Sequence, residues 1–144
     1  MNKIEIKISA NLENECVIRN AIASFAATIN PTVDEIIDIK TIISEAVSNA
    51  IIHGYEHDKT QDVYVKASLE ENNLEIVIQD FGKGIENIDE VLKPKSVNAL
   101  NQERAGIGFT IIKTLSDDFK IISKKNVGTK LIISKVLSST GVRS

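Results

Sequence analysis

One cysteine, Cys16, stands alone in the chain, so no intrachain disulfide, thiolate zinc cage or CxxC redox pair can be built. That composition suits a reducing cytoplasm. No stretch approaches the roughly 20 apolar residues of a membrane span. The opening MNKIEIKISA alternates Ile with charge, where a secretory leader runs basic, then apolar, then small. The chain is expected to be neither secreted nor embedded. A basic excess is also missing: 17 Lys and Arg against 20 Asp and Glu give a net charge of -3 and a pI near 5.4. Duplex nucleic-acid binding is therefore not expected. Internal repeats and low-complexity tracts are absent, as are the GxxxxGK[ST] phosphate loop and the HExxH metal pair. What remains is 144 residues, 42% hydrophobic and 26% charged, enough to bury one ordinary core.

Ile4, Ile6 and Ile8 alternate with charge and predict an opening strand. From Leu12 to Ile29 the apolar residues Val17, Ile18, Ala21, Ile22, Phe25, Ala26 and Ile29 recur at helical spacing until Asn30 and Pro31 end the run. Cys16 reads as a small packing residue of that helix. Thr32 and Glu35 form a capping-box pattern ahead of a second helix, with Ile36, Ile39, Ile43, Val47 and Ala50 on one stripe and Gly54 as C-terminal cap. Val63, Val65, Ala67 and Leu69, then Leu74, Ile76 and Ile78, predict two antiparallel strands turning at Asn72 and Asn73. A polar stretch of about 20 residues, 85–105, is longer than a structural connection needs and reads as a lid. A short helix from Gly108 to Leu115 and strands over Phe119–Ser123 and Thr129–Val136 complete a single domain, 1–137, with 138–144 fraying. Helices and strands do not alternate strictly. The expected fold is thus α+β, a two-layer α/β sandwich with a mixed, mostly antiparallel sheet and helices on one face.

Three short segments carry chemistry. Glu45 and Asn49 stand one helical turn apart, off the apolar stripe. A carboxylate there suits a general base and an amide oxygen suits Mg²⁺, although a solvated helix face has the same pattern. Asp80-Phe81-Gly82-Lys83-Gly84 follows a strand directly. Its carboxylate is an acceptor for an exocyclic amine such as that of adenine, or simply the cap of a glycine turn. Arg104-Ala105-Gly106-Ile107-Gly108 closes the lid and opens a helix, a place for phosphates on free backbone N–H groups, or a plain hinge. Their order would bring base, metal ligand, adenine site, lid and phosphate site to one pocket.

The segments E45-A-V-S-N49, D80-F-G-K-G84 and R104-A-G-I-G108, with Gly128-Thr129 before the last strand, resemble the sequence boxes of the GHKL (gyrase and histidine-kinase type) ATPases. More closely, KTIISEAVSNAIIHGYE and RAGIGFTII resemble the small stand-alone anti-sigma serine kinases, and the resemblance covers nearly the whole chain. It implies ATP and Mg²⁺ as cofactors, with Glu45 as general base for a partner's serine hydroxyl and Asn49 on Mg²⁺. Asp80 would hold the adenine amino group, with Gly82, Gly84 and Thr129 shaping that end. Gly106, Ile107 and Gly108 would offer N–H groups to phosphates, and Arg104 would contact the terminal one. The family further implies a homodimer, a sporulation sigma factor held inactive, and a STAS-type anti-anti-sigma partner phosphorylated on serine; a related switch kinase of a stress-response sigma factor, or a non-catalytic nucleotide-dependent binding module, would keep the same motifs. Arg19 would lie in a partner-facing region or be merely solvated. His53 and His57 read as surface or packing residues, separated by a helix break at Gly54.

Overall fold

Alternation along the strands becomes, in the computed structural model, a set of apolar rungs running across one sheet. The structure describes residues 1–92 and 101–139, and only the backbone of 101–105. Five strands, β1 (Asn2–Ser9), β2 (Asp62–Glu70), β3 (Asn73–Asp80), β4 (Asp118–Lys124) and β5 (Gly128–Val136), pair in the order β1-β2-β3-β5-β4. Every pairing is antiparallel, so the sheet among the described residues is not mixed. Register aligns Ile6, Val65, Ile78, Leu131 and Ile121 in one rung, and Ile4, Ala67, Ile76, Ile133 and Phe119 in the next. All ten are buried or packed against the core. Residues between them, such as Lys66, Glu75 and Lys120, are exposed on the opposite face.

Helices α1 (Glu15–Ala27), α2 (Val33–Asn49), α3 (Ile88–Leu92) and α4 (Asn101–Leu115) form the second layer. Ile18, Ile22 and Ala26 of α1 and Ile39, Ile43 and Val47 of α2 are fully buried, because spacings of three and four keep them on one side of each helix. Cys16 and Val17 lie off that stripe and are exposed, contrary to the packing roles the spacing predicts. Thr32 caps α2 as expected. Its Oγ1 accepts from Glu35 N at 3.2 Å, and Glu35 Oε1 accepts from Thr32 N at 2.9 Å.

Four boundaries differ from the sequence expectation. The β2–β3 turn falls on Glu71 and Asn72, one residue early, with Glu71 taking the left-handed conformation. Helix α2 has no glycine cap at Gly54; it widens into a π turn over Ala50–Gly54, closed by Tyr55 N donating to Ala50 O at 2.9 Å. Helix α4 begins at Asn101, not Gly108, because Gln102, Glu103 and Arg104 are good helix formers even without apolar periodicity. The tail does not fray from 138: Leu137 is buried, Ser138 N donates to Glu35 Oε2 at 2.8 Å, and Ser139 Oγ donates to Ile29 O at 3.2 Å. Residues 140–144 lie outside the described residues, as does 93–100 of the expected lid. Of that lid, α3 is described, and its Val91 and Leu92 pack against the core.

Removing the Thr32 hydroxyl leaves the Glu35 N–H of the first turn without its cap. Thr32→Ala should lower unfolding free energy by about 1 kcal/mol in urea denaturation, without changing the slope of the transition.

Candidate functional site

The apolar alternation of the sheet stops at its last rung, where Asp80, Thr129 and Ser123 stand side by side on β3, β5 and β4. Asp80 and Thr129 are buried polar residues facing the helical layer. Asp80 Oδ1 accepts from Gly82 N at 2.9 Å, and the Thr129 backbone N–H supports the same carboxylate. Burial outweighs those two donors and pushes the Asp80 carboxyl from 3.8 up to about 6.

The glycines around Asp80 serve backbone packing. A Cβ on Gly54 would lie 2.8 Å from the Asp80 carboxylate, and one on Gly82 would collide with the Gly54 carbonyl. That closeness lets Lys83 N donate to Gly54 O at 2.9 Å, stitching the loop after β3 to the end of the π turn. Gly84, with φ near 71°, brings the same loop against Lys124 O on the β4–β5 hairpin. Tyr55 holds the other side: its hydroxyl accepts from Phe81 N at 2.8 Å and donates to Asp62 O at 2.6 Å.

Glu45 and Asn49 converge on α4. A methyl group on Gly108 would lie 2.9 Å from both Glu45 Oε2 and Asn49 Nδ2. Glu45 is half-buried, and burial raises its carboxyl above the ordinary range. Asn49 Nδ2 is buried without a hydrogen-bond partner. Gly106 is buried and Ile107 half-buried, both inside α4, so their N–H groups are not free ends of a helix as the sequence predicts. Offering them to phosphates requires α4 to begin later than Asn101. The Arg104 side chain lies outside the described residues.

A cavity of about 870 Å³ is lined by Asn49, His53, Gly54, Asp80, Gly84 and Thr129 among others, while Glu45 lies outside its lining. Gly82 and Gly108 support its walls. His53, which reads as a surface or packing residue, is half-buried and lines the cavity. Burial, then Lys83, then His57 hold its imidazole below 6.5 and therefore neutral at pH 7. Lys83 and Lys125 add cationic rims. Sequence spacing gave no sign of His53, Tyr55 or Ser123, whose positions depend on the π turn and on strand register.

Among the described residues, no group of three His, Cys, Asp or Glu could cage a metal. The unpartnered Asn49 amide nevertheless fits Mg²⁺, which keeps most of its waters and takes few protein ligands, since a half-turn of the amide points its oxygen where Nδ2 now lies.

Two outcomes follow from this geometry. Gly82→Ala forces a Cβ into the Gly54 carbonyl and should cost about 1 to 3 kcal/mol of stability by urea denaturation. For Asp80, the folded protein holds the proton more tightly than the unfolded chain, so this group's contribution to stability is lost as pH rises from about 4 to about 6. Asp80→Asn does not titrate, so its stability relative to the parent should rise by on the order of 2 to 3 kcal/mol between pH 4 and 7.5. An unchanged difference across that range would contradict the burial argument.

Residues 8–135 match the family described as histidine kinase-like ATPase domain. The anti-sigma F factor of Clostridium perfringens is 42% identical over 138 residues, covering 96% of this chain and 99% of the relative. That of Shouchella clausii is 42% identical over 139 residues, covering 96% of this chain and 95% of the relative. In fold, the chain is similar to the RsbU and RsbW domains of Rv1364c from Mycobacterium tuberculosis, with a TM-score of 0.69 at 22% identity over 95% of this chain. It spans 33% of that longer structure. A blue-light activated histidine kinase of Erythrobacter litoralis gives a TM-score of 0.56 at 20% identity, covering 90% of this chain and 46% of that one. With a cavity floored by a buried carboxylate and matches along nearly its whole length, the chain belongs to the histidine kinase-like ATPase domain family and groups there with the anti-sigma F factors.

Proposed function

We propose that this chain is an anti-sigma factor that binds and inhibits a sporulation sigma factor and, as an Mg-ATP-dependent protein serine kinase, phosphorylates a STAS-type anti-anti-sigma partner. The observation that carries the kinase reading is the buried, unpartnered Asn49 amide sharing one cavity with Asp80 and Thr129, with Glu45 one helical turn away against Gly108. The names of the relatives support the sigma-factor half. A homodimer in the cytoplasm completes the reading; the lone cysteine agrees with that compartment, and no helix among the described residues is long and apolar enough to cross a membrane.

Adenine would be recognised by Asp80 and Thr129, within walls held by Gly82 and Gly84. Mg²⁺, held through Asn49, would neutralise phosphate charge. Gly106, Ile107 and Gly108 would turn N–H groups to the phosphates once the start of α4 shortens, and Arg104 would reach the terminal phosphate. The partner's serine would give its proton to Glu45 as its oxygen bonds to the terminal phosphorus and the bond to ADP breaks. Glu45 suits this task because burial raises its basicity toward working pH. Positioning and charge neutralisation supply most of the acceleration in such transfers, so one base, one metal and one arginine suffice.

Glu45→Ala tests the assignment directly. Transfer of labelled phosphate from ATP to a STAS-type partner should fall by about 10² to 10⁴, while ATP binding by calorimetry and sigma-factor binding persist. Transfer at the parental rate would remove Glu45 as the base. No transfer by the unchanged protein to a cognate partner would instead favour a nucleotide-dependent binding module.

A further inference from the structure

Ser123 does not line the cavity, yet its hydroxyl is the meeting point of two segments that do. Ile85 N, in the loop after β3, donates to Ser123 Oγ at 2.7 Å. Gly128 O lies 3.0 Å from the same oxygen, and Thr129 Oγ1 lies 2.8 Å from it. A serine hydroxyl has one proton and two lone pairs. Ile85 fills one lone pair. If the Ser123 proton goes to Gly128 O, the remaining lone pair takes the proton of Thr129, and Thr129 faces the cavity as an acceptor only.

We propose that Ser123 is a positioning residue that sets base specificity: it consumes the Thr129 proton, so that Asp80 and Thr129 together offer two acceptors to a purine carrying an amino group at position 6. This rests on the nucleotide-site reading above. A 6-amino group has two N–H donors to satisfy that pair. A 6-oxo purine meets the ionised Asp80 and the acceptor face of Thr129 with a carbonyl oxygen, leaving acceptors opposed without a proton between them, an arrangement that buried sites reject.

The bond from Ile85 has a separable role. It anchors the loop that carries Gly84 and Ile85 into the cavity wall, and its loss weakens any nucleotide regardless of base. The ratio of affinities for two bases therefore isolates the hydroxyl chain from the anchor.

The experiment is calorimetric titration of the full chain, Ser123→Ala and Ser123→Thr with Mg-ATP and with Mg-ITP, its 6-oxo counterpart. The parent should prefer ATP. In Ser123→Ala the ATP-over-ITP preference should narrow by about three- to tenfold, because Thr129 regains a free proton. Ser123→Thr, which keeps the hydroxyl, should restore the parental ratio. Equal weakening of both nucleotides in Ser123→Ala would overturn the proposal and leave Ser123 as a loop anchor. A parent that binds ATP and ITP equally would also overturn it, whereas a parent that binds neither would remove the nucleotide site itself and the proposal with it. Should Ser123→Ala not fold, Ser123→Cys keeps the volume with a much weaker hydrogen-bonding group, and the same narrowing is expected.

Discussion

A carboxylate kept out of water at the end of a strand sets the terms for everything around it. Asp80 cannot stay charged there without donors, and the donors available are backbone N–H groups of Gly82 and Thr129. Seating the carboxylate there requires that Gly54 lack a side chain, and Gly82 must lack one for the loop after β3 to pack on the Gly54 carbonyl, which ties that loop to the far end of α2. The carboxyl still sits near pH 6 in proton affinity, so the folded protein carries an unfavourable charge at neutrality. Such a cost persists where the group meets a ligand whose donors compensate it.

The two layers divide the labour. The sheet supplies acceptors on neighbouring strands, fixed to one another by antiparallel register. The helices supply Glu45 and Asn49 from α2, pressed against the small surface of Gly108 on α4. Because α2 packs on the sheet through Ile39, Ile43 and Val47, the distance between its polar face and the last rung of the sheet is set by core packing, which yields little to strain. Reacting groups on rigid elements are held more closely than groups on loops.

Periodicity exposed most of this architecture. The alternation of Ile4, Ile6 and Ile8, the stripe from Ile39 to Val47 and the Thr32–Glu35 box each express a local rule, and each is found in the structure. Helix α4 began earlier than expected because residues 101–105 have helix propensity but no apolar face to announce it. Cys16 and Val17 misled because an apolar residue next to a stripe need not belong to it. Asp80, Thr129, Gly84 and Asn49 were legible as short motifs, and they do share one cavity. Ser123, Tyr55 and His53 were not, because contacts such as Ile85 with Ser123 and Phe81 with Tyr55 span tens of residues that no local pattern reports.

The π turn at Ala50–Gly54 carries one more consequence. Asn49 and Gly54 belong to one uninterrupted helical run, so a single backbone measures the span between the helical side of the cavity and the carboxylate. An extra residue per turn is what places Gly54 beneath Asp80 and closes the run on Tyr55. The segment is therefore a ruler whose length is counted in residues, not in side-chain volumes. Lineages of this protein should admit substitutions at the five positions from Ala50 to Gly54 but no change in their number.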